Sequence, residues 1–177
     1  SKLYSGGKPM YDPTIFENLK VAFENHVYDL DNIERKIDIK NRVDLMDLSV
    51  IARAFKIEFT LADQQDITAE IILDASLEDL AGEILEIGNK NIGCTLELKF
   101  IKNIQNPDLQ CEEIEQAINN IWEDDISLTQ TLSFVFGTEL SSYKNTIEVK
   151  FDQKINEDQI SDISVFLDHV LETLEIL

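Results

Sequence analysis

The apolar positions of this chain change period several times, and each change marks an element. Phe16, Leu19, Phe23, Val27 and Leu30 recur every three or four residues, one stripe of an amphipathic helix. Asp12 and Pro13 offer that helix a cap and a first turn, while residues 26–31 also fit an extended segment. Over residues 50–61 the period falls to two. Ile51, Phe55, Ile57, Phe59 and Leu61 share one face, with Ala52, Ala54, Lys56, Glu58 and Thr60 on the other, as in a strand with one buried side. Asp63-Gln64-Gln65-Asp66 reads as a turn, and the alternation of Ala69, Ile71 and Leu73 after it predicts a hairpin. A shorter strand over residues 36–40 precedes the pair.

Ser76 with Asp79 three residues on is a weaker form of the capping box and opens a second helix. Leu77, Leu80, Ile84 and Leu85 give that helix its apolar side, and Gly88 is placed to end it. Gly82 inside it costs about 1 kcal/mol relative to Ala and is read as a point of close approach to a neighbouring element. Cys94, Leu96, Leu98 and Phe100 alternate on a strand. Asn106-Pro107 starts a helix with Ile114, Ala117, Ile118 and Ile121 inward. Leu132, Phe134 and Phe136, a connection over 137–145, then Ile147, Val149 and Phe151 read as a second hairpin. The chain closes on Ile160, Ile163, Leu167, Val170, Leu174 and Leu177, a regular helical seam flanked by Phe166 and Leu171. The order predicts an α+β fold: an antiparallel or mixed sheet of about five to six strands, helices packed mainly on one face, and a long C-terminal helix.

Composition agrees with a globular chain. Of 177 residues 44% are hydrophobic, with only 6 Gly and 3 Pro, enough for one packed domain. Residues 1–11 read as a leader or flexible N-terminus and 12–177 as a single α+β domain. Neither a membrane-spanning apolar run nor a secretory h-region is visible, and Cys94 and Cys111 stand alone, so a cytoplasmic protein with reduced thiols is expected.

Charge is the unusual property. Fifteen basic side chains face 35 acidic ones, a net charge of −20, which disfavours nucleic-acid and membrane partners. Residues 57–143 hold eighteen carboxylates against three lysines, a balance of −15. Residues 35–56 reverse it to +3 and contain all three arginines: Arg35, Arg42 and Arg53. The alternation sets Arg53 beside Ile51 and Phe55, so its guanidinium requires a carboxylate or a route to the edge. Arg42, Arg53 and Lys56 are therefore candidates for an anion site, with an internal salt bridge or an intersubunit contact as the plainer reading.

Motifs for chemistry are sparse. His169 falls among Asp162, Asp168 and Glu172 and reads as a solvated surface residue; His26 lies beside the first apolar stripe and reads as packing. No G-x-x-x-x-G-K or G-x-G-x-x-G occurs, no Cys/His pair has zinc spacing, and no segment has the calcium-loop pattern. No cofactor and no metal are expected. Trp122 followed by Glu123, Asp124 and Asp125 places carboxylates at the negative pole of a helix, an unfavourable arrangement that hints at a partner or ion, with plain solvated charge as the leading reading.

These features favour a non-enzymatic protein-binding or regulatory domain. The alternatives are an acidic inhibitor or immunity protein that mimics nucleic acid, and an enzyme built from carboxylates and the 42–56 region without local motifs. A homodimer through the flanks of the last helix or an open sheet edge is also expected.

Overall fold

A computed structural model describes residues 14–85, 92–123 and 125–177. These form an α+β fold with a six-stranded antiparallel sheet and four α-helices. In chain order the elements are α1 (Ile15–Asn32), β1 (Ile37–Asp47), β2 (Ala52–Leu61), β3 (Thr68–Ala75), α2 (Leu77–Leu85), β4 (Thr95–Ile104), α3 (Pro107–Ile121), β5 (Ile126–Ser133), β6 (Tyr143–Phe151) and α4 (Ile163–Ile176). A 3-10 turn, Glu157–Asp162, runs directly into α4, giving a continuous helical stretch of 20 residues. The strands lie in the order β1-β2-β3-β4-β6-β5.

The sheet buries one face because its alternating apolar residues fall into register. Ile57 pairs with Ile71, Ile71 with Leu98, Leu98 with Val149 and Val149 with Leu128, so one apolar row crosses five strands. Phe59, Ala69, Phe100 and Ile147 make the next row. The stripe Phe16, Leu19, Phe23, Val27 and Leu30 of α1 is buried against these rows, beside the seam Ile163, Leu167, Val170 and Leu174 of α4. The opposite face carries Lys56, Glu58, Glu70, Asp74, Glu97, Lys99 and Glu148, a polar checkerboard in which Glu97 pairs with Lys150 and Lys99 with both Glu70 and Glu148.

The structure corrects several sequence-based expectations. The first helix is capped by Thr14, which accepts from the Glu17 N–H at 3.1 Å, and α1 is helical through residues 26–31. Asp12, Pro13, Gly88 and the leader over 1–11 lie outside the described residues. The short strand expected over 36–40 is 11 residues long. A bulge between Ile39 and Asn41 breaks its alternation. Ile37 and Ile39 face the helices before it, and Arg42, Asp44 and Met46 do so after it.

Ile51 is no strand residue but an exposed turn residue with φ 52°. The Ser76–Asp79 box forms in both directions, yet Leu77 and Leu85 are exposed and Ile84 is 75% exposed. Leu80 packs against the core, while Leu77, Ile84 and Leu85 line a shallow groove with Met46 and Ile51. A Cβ on Gly82 would meet only Ile92, at an ordinary 3.9 Å, so no close approach requires glycine there. The fifth strand spans Ile126–Ser133; Phe134 and Phe136 belong to the exposed connection that follows it. Of the residues flanking the α4 seam, Leu171 is buried and Phe166 packs edge-on to Phe23 at 5.9 Å, while Ile176 is exposed.

Candidate functional site

Two groups of polar and aromatic side chains stand out, at opposite edges of the sheet. The first is a charge network between α1 and the outer half of β1. Because the bulge turns Arg42 and Asp44 toward α1, they meet Glu17, Lys20 and Glu24 there, and β2 adds Arg53. Arg53 pairs with Glu17 at 2.8 Å and Asp44 at 3.1 Å, and its guanidinium lies 4.7 Å from the Phe16 ring centre. Lys20 holds the same two acids at 2.8 Å each. Arg42 pairs with Glu24 and lies over Phe55 at 5.6 Å.

Burial alone would raise Glu17 and Asp44, but the bonds from Lys20 and Arg53 outweigh it and hold both below the usual carboxylate range. Three cations meet three carboxylates, so the network is internally neutral. The plainer reading of Arg53, an internal salt bridge, describes what is observed. Lys56 is not part of it: it lies on the opposite, open face beside Ile72.

The second group surrounds a cavity of about 520 Å³ at the end of the sheet where β4 and β5 begin and β6 ends. Its walls are aromatic. Trp122, the C-cap of α3, lies 5.4 Å from Phe151, Phe166 and His169, ring centre to ring centre. The indole N–H donates to Thr173 Oγ1 at 3.1 Å, and that hydroxyl donates to the His169 carbonyl at 2.7 Å, which fixes the indole plane against α4. Asp125, Asp152 and Asp162 line the cavity with Gln153, and among the described residues neither Lys nor Arg does. A 3.3 Å backbone bond from the Asp152 N–H to the Asp125 carbonyl joins two of these acids.

Of the sequence candidates, Trp122 and Asp125 are brought into this cavity. Glu123 is exposed and outside its lining, and Asp124 lies outside the described residues. Phe151, Phe166 and His169 were not legible as site residues, because they reach Trp122 from β6 and α4 with no local motif. His169 is a correction as well: half-buried against the indole, it is not a freely solvated residue. Nearby, Cys94 is buried at the mouth of β4, its neighbours Asp79 and Glu83 negative, and its thiol is pushed up to about 12, mainly by burial. Among the described residues no group of three or more His, Cys, Asp or Glu could hold a metal ion, and no helix is long and apolar enough to cross a membrane.

Aromatic edges beside carboxylates are the chemistry that suits an organic cation, through the rings and through charge. No family model, curated protein or solved structure matches this chain.

Proposed function

We propose that this chain is a non-enzymatic protein-binding domain that seats a cationic side chain of a basic partner in the Trp122 cavity. The observation that carries this reading is the cavity itself: three aromatic rings and an imidazole, three rim carboxylates, and neither Lys nor Arg among the described residues that line it. A cation held over such rings gains about 0.5–2 kcal/mol per ring contact as it loses water. The net charge of −20 steers basic partners toward the surface and speeds their encounter. Mimicry of nucleic acid has less support, since lysines interrupt the carboxylates of the open sheet face.

Trp122 is the single tryptophan, so its emission reports on the cavity directly. Titration with tetramethylammonium chloride should change that emission saturably, at about 10–50 mM. Sodium chloride at matched ionic strength should not. A lysine-rich peptide should compete, and Asp152→Asn with Asp162→Asn should weaken both ligands about tenfold. A linear response identical to that of sodium would remove the cation site and this function with it.

A further inference from the structure

The two edges of the sheet are built in opposite ways. β1 carries Asp38, Lys40, Arg42, Asp44 and Asp47 and is bent by its bulge, the usual guards against the addition of another strand. β5, at the other edge, reads Ile-Ser-Leu-Thr-Gln-Thr-Leu-Ser and has no charged residue, no proline and no glycine. Every other strand carries at least two charges. The register of β5 with β6 is unbroken from Ile126 to Ser133, and among the described residues its backbone pairs with β6 alone. Ser127, Thr129 and Thr131 are exposed, and the strand leads into Phe134, Val135 and Phe136, the last of them 96% exposed.

We propose that β5 is a self-association edge: two copies pair β5 against β5, antiparallel about a twofold axis, and join their sheets into one. Charge selects a second copy as the occupant. Two chains of −20 repel wherever their carboxylates face each other, and this strand is the stretch of sheet edge that brings none. A basic strand from another protein would gain nothing from an edge without charge. Self-pairing is also complementary in detail. It sets Thr129 and Thr131 among threonines and serines of the other copy, a favourable cross-strand pairing. It also runs the exposed Phe134–Val135–Phe136 segment of each copy beside the first residues of the other's β5, which covers apolar surface that water now meets. Of the α4 flanks, Phe166 and Leu171 are already used within the chain, and Val165 and Ile176 are left as separate exposed residues.

Sedimentation equilibrium of the full chain at tens of micromolar, in about 0.15 M and about 0.5 M NaCl, tests this. The expected result is a species of twice 20.2 kDa that tightens with salt as the remaining repulsion is screened. Thr129→Lys with Thr131→Lys places like charges opposite each other across the twofold. It should weaken the dimer about tenfold or more while leaving the circular dichroism and melting curve of the fold unchanged. Asn41→Lys, on the guarded edge, should leave the dimer intact. A single 20.2 kDa species in both salts overturns the proposal, as does a dimer that the lysine pair on β5 leaves untouched.

Discussion

Replacing Arg53 by Ala removes two charge-assisted bonds and a cation–π contact from a side chain that is only 18% exposed. The acids it leaves behind are not orphaned, because Lys20 still holds Glu17 and Asp44 at 2.8 Å. The loss is therefore smaller than the 3–5 kcal/mol typical of breaking a fully buried pair. Each partly exposed bond is worth about 0.5–1 kcal/mol and the contact with Phe16 about as much, so Ala should cost about 1.5–3 kcal/mol. In urea this moves the midpoint down by about 1 M for a chain of this size.

Arg53→Met separates the terms, since it keeps an apolar stem over Phe16 and loses only charge; it should recover roughly a third of the loss. The pH dependence follows from the lowered carboxyls. Their stabilisation is present above their unfolded values, about 4, and is lost as pH falls through the folded values. The difference between parent and Arg53→Met should be full at pH 7 and shrink below about pH 4. Equal stability of parent and Ala variant at pH 7, or a difference that persists unchanged in acid, would refute the network.

Two glycines should respond in opposite directions. Gly82→Ala places a methyl in open contact distance of Ile92 and should stabilise by about 0.5–1 kcal/mol, read from the urea midpoint. Gly93→Ala drives a Cβ into the Ile155 carbonyl oxygen and should cost about 2–4 kcal/mol in the same assay. Cys94, with its thiol pushed up to about 12, should resist a thiol-reactive dye at pH 8 in the folded protein and react after unfolding, followed by absorbance and mass. The melting temperature should rise from low to moderate NaCl, as screening relieves the self-repulsion of −20; a flat or falling scan would show that attractive pairs dominate.

What was legible in the sequence was what periodicity alone determines. The α1 stripe, the alternation of β2, β3 and β4 and the seam of α4 each repeat long enough to specify a face. β1 was cut short because its bulge at Lys40 interrupts the period, and the same bulge delivers Arg42 and Asp44 to Arg53. β5 was displaced because Leu132, Phe134 and Phe136 alternate more strongly than Ile126, Leu128 and Gln130, although the strand ends at Ser133 and Phe134 and Phe136 lie beyond it. The cavity was half visible. Trp122 and Asp125 sit together in the chain, but Phe151, Phe166 and His169 arrive only when β6 and α4 fold onto them.

The stretch that ends in α4 is fastened to the sheet at both ends. Cys94 and Ile155 exchange backbone bonds at 2.8 and 2.9 Å where it begins, and Lys102 of β4 holds the Leu177 carbonyl where it finishes. Every strand that this stretch covers precedes it in the sequence. Without it, the apolar rows of β2 and β3 would keep only α1 and part of α2 against them. Peeling this stretch away would therefore break both fastenings and uncover those rows in one step.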